Sequence, residues 1–304
     1  MKKLWGSTAM ITATIVWGVA FTAQSKAMNF VEPLPFTAMR SLIGTAALIA
    51  VTIILDCISG ERPSLWGRAK SVGQRHFLLS GGIWCGLVIS AASTCQQYGL
   101  KYISPGKTGF LTALYIIIVP LLGIFFKRKI SAVMWTAVAL GIAGAYLLCG
   151  GVDGIGKGEL FVIICAALYS IHIMVIDHYA PECDCVRLSA IQFAVASLIC
   201  TLASLFNRDP WIAENIKSAL PYLLYCGIGS SAVAFTLQMV AQKYLHPVTA
   251  TLLMSLESIF AVLGDWIFSG RVLSVREFIG CGIIFAAIIL SQYKPGSPET
   301  VPKK

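Results

Sequence analysis

Three side chains able to carry charge interrupt stretches that are otherwise apolar. Arg40 ends Pro35-Phe36-Thr37-Ala38-Met39-Arg40, His172 follows Tyr169-Ser170, and Glu257 ends Leu252-Leu253-Met254-Ser255-Leu256-Glu257. An ionised group in hydrocarbon is costly unless it is paired, hydrated or neutral. Such a group can hold a charged ligand, pass a proton, or tie helices together. For Arg40, near one end of its run, the choice is between snorkelling to headgroups and a structural or substrate-facing charge inside a bundle. Glu257 lies deeper in its run, and either binds a cationic group or exchanges a proton, or bonds to a neighbouring helix and holds the bundle. Asp265 stands eight residues on, about 12 Å along a helix, and is expected to reach an interface. His172 divides between hydrogen-bonded packing and a proton relay.

Uncharged polar groups recur at helical spacing. Ser90, Ser93, Thr94 and Gln97 fall at i, i+3, i+4 and i+7, which puts four hydrogen-bonding side chains on one face. Thr108, Thr112 and Tyr115 repeat the device, as do Thr251, Ser255 and Ser258. Hydroxyls so placed either line a cavity or let helices approach one another in lipid. Trp17 and Tyr115 offer rings that stack on a flat substrate or fill the bundle. No Walker-type glycine loop, His-Glu-x-x-His or Gly-x-Ser-x-Gly sequence is found, so the reading is of a chain that is not an enzyme and uses no cofactor or metal. Cys183 and Cys185, near His178, lack a second ligand pair at zinc spacing, and the other cysteines read as small core residues.

The elements that must position these groups follow from composition. The chain of 304 residues is 57% hydrophobic and 12% charged, half the charge of a soluble domain. Ten apolar segments can be marked, at residues 4–24, 35–55, 76–98, 106–126, 131–149, 158–176, 186–206, 218–241, 247–269 and 274–292. Each is long enough to cross a bilayer, and continuous apolar runs select helices over a barrel. The expectation is an all-α polytopic membrane protein of ten transmembrane helices. The first segment follows Lys2 and Lys3 but outruns a signal-peptide core. A net charge of +9 gathers in the short polar breaks, as a topology signal does, so nucleic acid is not an expected partner. The expected partners are the lipid bilayer and a small-molecule substrate, with a homodimer through peripheral segments open.

The chain also resembles itself. Thr94, Gln96, Lys101, Tyr102 and Pro105 recur 142 residues later as Thr236, Gln238, Lys243, Tyr244 and Pro247. Trp17-Gly18 lies opposite Tyr169-Ser170, and Arg40 opposite Gln192, at a shift of 152. The reading is of two five-helix repeats, 4–149 and 158–292, then a polar tail, 293–304. An odd number of spans per copy inverts the second copy in the membrane and places a site at the repeat interface near the midplane.

The chain resembles the EamA group of the drug/metabolite transporter superfamily. The resemblance rests on Trp17-Gly18-Val19-Ala20-Phe21, Pro35 to Arg40 and Phe110-Leu111-Thr112-Ala113-Leu114-Tyr115, then Leu252 to Glu257, Phe260-Ala261 and Trp266-Ile267-Phe268. It implies a central cavity lined by segments one to four and six to nine, with five and ten peripheral. It also implies secondary, non-ATP transport or export of a small organic metabolite, such as an amino acid, by alternating access. The alternative is a membrane protein that keeps the fold for sensing, assembly or lipid handling. The group often has proline directly after the Leu-Tyr and Leu-Glu pairs, where this chain has Ile116 and Ser258. Candidate cavity residues are Trp17, Arg40, Ser90, Thr94, Gln97, Tyr115, His172, Gln192 and Glu257.

Basic residues set the expected orientation. With both termini cytoplasmic, in the plasma (cell inner) membrane, the inner side receives Arg62, Arg68, Lys70, Arg75, Lys127, Arg128 and Lys129 with both terminal lysine pairs. Cysteine-accessibility labelling should therefore find the segment from Asp56 to Arg75 on the cytoplasmic face. Labelling of that segment from outside would overturn the topology.

Overall fold

The computed structural model describes residues 2–67, 69, 71–125, 130–148, 156–269 and 274–292. The polar tail, the Gly150 to Gly154 break, Arg68, Lys70, Lys127 to Lys129, Arg271 and the side chain of Asp265 lie outside what is described. Among the described residues every regular element is helical: α1 (Lys2–Ala27), α2 (Pro33–Ile58), α3 (Val72–Leu100), α4 (Pro105–Thr112), α5 (Tyr115–Phe125), α6 (Ala132–Leu148) and α7 (Lys157–Tyr179) in the first part. After them come α8 (Cys185–Phe206), α9 (Ala213–Leu224), a π-helical segment π1 (Tyr225–Ala234), α10 (Phe235–Gln242), α11 (Pro247–Met254), α12 (Leu256–Ser269) and α13 (Val275–Gln292).

Among the described residues, eight stretches are long and apolar enough to cross a membrane, including Pro105–Phe125, Ala213–Gln242 and Pro247–Gly264, each of these three built from more than one helix. The fifth and tenth segments are shorter, with apolar helix over Ala132–Gly144 and Phe278–Leu290. Helix starts obey local chemistry. Ser104 caps α4 ahead of Pro105, His246 caps α11 ahead of Pro247, and Asp184 caps α8 through two backbone amides. Proline at the first helical position loses no bond, because that amide has no partner inside the helix.

Three expected continuous segments are interrupted. The fourth breaks between α4 and α5, and the ninth breaks at Ser255, although neither Ile116 nor Ser258 is a proline. Around the first break, Leu114, Ile116 and Ile117 donate to the carbonyls of Leu111, Ala113 and Leu114, a tightening to i→i+3 bonding. At the second, Thr251 and Ser255 turn their hydroxyls back onto the carbonyls of Val248 and Leu252. Such back-bonding competes with the helical ladder and bends it. The eighth segment contains π1, whose end is marked by the Phe235 amide reaching the Ser230 carbonyl.

Packing follows the repeat. The α2 helix lies against α8, and α6 against α13. The α1–α12 contact is matched by α7 with α5, and α3–α8 by π1 with α2. Exchanging the two halves returns the same set of neighbours. Gly86 meets Val195 and the Gln192 carbonyl, while Gly227 meets Ile43 and the Arg40 carbonyl. Ile43 and Val195, like Arg40 and Gln192, are 152 apart, so the two glycines make one contact twice. Those glycines are 141 apart, whereas Thr94 and Thr236 are 142 apart. One extra residue therefore enters the second copy between Gly227 and Thr236, within the stretch wound as π1.

Space at these glycines decides a prediction. A Cβ at Gly86 would stand 2.6 Å from the Val195 Cβ, and one at Gly227 2.6 Å from the Ile43 side chain, whereas at Gly282 nothing lies within 4 Å. Gly86→Ala and Gly227→Ala should each destabilise by about 1–3 kcal/mol through overpacking. Thermal unfolding in lipid nanodiscs reads the effect, and Gly282→Ala should leave the melting temperature unchanged or slightly higher.

Candidate functional site

A cavity lies where the two halves meet. Its polar wall is Gln24, Arg40, Gln96, Thr112, Ser230 and Glu257; its aromatic and apolar wall is Trp17, Phe21, Tyr115, Tyr169, Phe235 and Met254. These residues come from the first four and the sixth, eighth and ninth segments, and α6 and α13 contribute none. Its free volume is about 30 Å³, enough for one to three waters and far below the roughly 300–1,000 Å³ of a ligand pocket. The site is nearly shut.

Its centre is the hydrogen bond from the Tyr115 hydroxyl to the Glu257 carboxylate, 2.8 Å long between residues 142 apart. That separation is the repeat shift, so each residue is the other's counterpart. Two counterparts in direct contact must lie beside the pseudo-two-fold axis. Both are buried, at 1% and 4% exposure, and they lie one and two residues past the breaks before α5 and α12. Around them Gln96 donates to Thr112 at 3.3 Å, and its counterpart Gln238 faces the Met254 sulfur at 3.9 Å.

Arg40 points into the bundle and is 4% exposed, which excludes snorkelling. Its Nε donates to Ser231 at 3.2 Å, Nη1 to Gln24 at 2.8 Å and Nη2 to Ser230 at 2.9 Å. No carboxylate among the described residues pairs with it. Phe235, the first residue after π1, is the hub of the aromatic wall. Its ring centroid lies 4.9 Å from Trp17, 5.5 Å from Phe193 and 5.9 Å from His172.

Of the nine candidate cavity residues, Trp17, Arg40, Tyr115 and Glu257 share this cavity, as does Thr112 of the hydroxyl series. The other five stand outside its wall. His172 Nε2 meets Gln192 Oε1 at 2.9 Å, behind the aromatic ring of Phe235. Ser90 bonds back to Leu87, Thr94 faces Cys200, and Gln97 donates to the Gln24 carbonyl. That polar face of α3 thus meets several neighbours, and Gln96, off the face, is the residue that reaches the cavity. Gln24, Ser230, Ser231 and Phe235 were not singled out. For the serines the signal is one register step between the copies, visible only once the glycine contacts are known.

The two ends of the bundle close differently. At one end Arg187, in the first turn of α8, pairs with Asp56 at 2.5 Å and Asp184 at 2.7 Å, with all but Asp184 buried. Beside it, Trp66, Phe77, Glu182, Cys183 and Asp184 border a vestibule of about 560 Å³. At the other end Lys101 meets Glu32 and Lys107 meets Glu159, both at 2.6 Å, the first pair exposed and the second with Glu159 buried.

A buried polar cavity between two like halves of a helical bundle is the architecture of a multi-pass membrane transporter. The chain belongs to the EamA-like transporter family, whose model matches twice, over residues 4–150 and 156–293. It is 23% identical over 95% of its length to a protein named "Uncharacterized transporter" from Archaeoglobus fulgidus, covering 86% of that protein. It is 20% identical to the "Uncharacterized transporter YoaV" of Bacillus subtilis, over 93% of this chain and 95% of that one. The "Uncharacterized inner membrane transporter YedA" of Escherichia coli K12 is 23% identical over 93% of this chain and 89% of its own. A solved crystal structure with 18% identity shares the fold at a TM-score of 0.75, over 94% of this chain and 96% of that chain.

Removing the tyrosine hydroxyl would leave Glu257 without its partner. Tyr115→Phe should lower stability by about 1–3 kcal/mol, the cost of an orphaned buried acceptor. A double-mutant cycle with Glu257→Gln, read by thermal unfolding, should return a coupling energy well above zero. Additive effects would show that the two side chains do not interact.

Proposed function

We propose that this chain is a secondary transporter of a small organic metabolite, such as an amino acid or a related compound, that works by alternating access through the central cavity. The observation that carries the proposal is the Tyr115–Glu257 contact on the axis relating the halves, beside two helix breaks. Interrupted helices at a repeat interface supply binding groups and hinges in one place. On this reading the cavity of about 30 Å³ is an occluded state, and rocking of one half against the other enlarges it toward either side. On this reading the chain crosses the cell inner membrane ten times in two inverted repeats with both termini cytoplasmic, an orientation supported by the basic residues Arg62 and Arg75. The Asp56–Arg187–Asp184 cluster then closes the cytoplasmic end.

Glu257 is the ionisable group best placed to couple transport to protons or to hold a cationic part of the solute. Its carboxylate is buried with Tyr115 as its recorded hydrogen-bond partner. Opening the cavity would hydrate it and let it exchange a proton or a ligand. Glu257→Gln keeps the shape and most hydrogen bonding but cannot ionise. A flux screen of metabolites in proteoliposomes should identify a transported solute for the wild type, and the variant should carry it at least about tenfold more slowly with a flattened pH profile. A variant that inserts normally and keeps the wild-type rate and pH dependence would remove Glu257 from the cycle. A wild type that moves no solute would return the chain to sensing, assembly or lipid handling.

A further inference from the structure

The guanidinium of Arg40 is a buried cation with no carboxylate paired to it among the described residues. Neutral oxygens of Gln24, Ser230 and Ser231 engage one N–H on each of its three nitrogens. Two of its five N–H donors, one on each terminal nitrogen, remain without a recorded acceptor among the described residues. The other charge-bearing side chain in the wall, Glu257, is engaged by Tyr115. Trp17, also in the wall, carries a buried indole N–H with no acceptor. This part of the cavity therefore has spare donors and spare positive charge.

The backbone is bent to hold that arginine. Ser230 and Ser231 are adjacent, and in an α-helix adjacent side chains diverge by about 100° around the axis. Both hydroxyls nevertheless reach one guanidinium, and both lie in π1, where the second copy has gained its extra residue. Wide turns of this kind are rare and concentrate at functional sites. The matching place in the first copy winds as ordinary α-helix, and the counterpart of Arg40 is the uncharged Gln192. The charged seat is thus built once.

We infer that Arg40, held by the paired serines of π1, is the binding site for the carboxylate of the solute, whose flat apolar body lies against Trp17, Tyr169 and Phe235. A guanidinium offers two parallel N–H bonds to a carboxylate, which gives orientation as well as charge. The bond partners of Arg40 fix the fork before the ligand arrives. This inference rests on the reading of the cavity as the solute site.

The test uses the full chain in lipid nanodiscs with three probes of one shape: phenylacetate, its neutral analogue phenylacetamide, and the cation phenethylamine. Binding is read by calorimetry and by the shift in melting temperature. Wild type should bind phenylacetate at concentrations up to about 10 mM and prefer it to the other two by at least about tenfold. Arg40→Gln should lose that preference, and Arg40→Lys should recover only part of it, since an ammonium keeps the charge but not the fork. If Arg40→Gln does not fold, Ser230→Ala with Ser231→Ala leaves the guanidinium in place and should still weaken phenylacetate selectively. Equal binding of the amide or the amine, wild-type affinity for phenylacetate in the variants, or no binding of phenylacetate at all would overturn the inference. Metabolite flux without selective carboxylate binding would remove the anion site and leave transport standing; selective binding without flux of any solute would do the reverse.

Discussion

A hydrogen bond between two residues that hold the same place in two copies of one pattern fixes where the copies meet. Tyr115 and Glu257 are such a pair, and the rest of the bundle is arranged around their contact. The breaks before α5 and α12 bring both side chains to the axis. The glycines at 86 and 227 let α3 and π1 close on α8 and α2, and α6 and α13 pack together at the periphery. In lipid, where apolar side chains gain nothing by leaving the solvent, association depends on close packing and internal hydrogen bonds of this kind.

The halves are alike in packing and unlike in charge. The axial pair joins a phenol to a carboxylate, and Arg40 answers Gln192. Thr112 accepts from Gln96 where Met254 offers Gln238 only a sulfur. The Asp56–Arg187 pair at one end is buried on both sides, while at the other end Lys101–Glu32 is exposed and Lys107–Glu159 half-buried. Duplication supplied the scaffold, and divergence at a few buried positions supplied the polarity of the site.

Much of this was legible in the sequence because membrane proteins must satisfy their backbone within each helix. Apolar run length therefore marks the segments, and the Thr94 to Pro105 pattern marks the copies. Arg40 and Glu257 stood out because charge is rare in such runs. What was not legible depended on contacts between distant segments. Spacing alone left the face of Ser90, Ser93, Thr94 and Gln97 open between cavity lining and helix packing, and in the structure α1, α7 and α8 lie against it. The breaks without proline come with a tightened backbone ladder at the first and hydroxyls bonding backward at the second, which composition does not announce. The π segment leaves almost no trace in one sequence, because a single added residue shifts the register of a weak repeat by one.

That added residue also bears on balance between end states. Two identical halves related by an axis in the membrane plane would make the arrangement open to one side equal in free energy to the arrangement open to the other, and each would be half populated. A wider helical turn in one half, with an Asp56–Arg187 pair buried on both sides at one end, removes that degeneracy. A difference of only about 1.4 kcal/mol sets the two populations ten to one. Under the proposed cycle, the backbone of a single helix therefore biases the end states before any solute, proton or membrane potential acts on them.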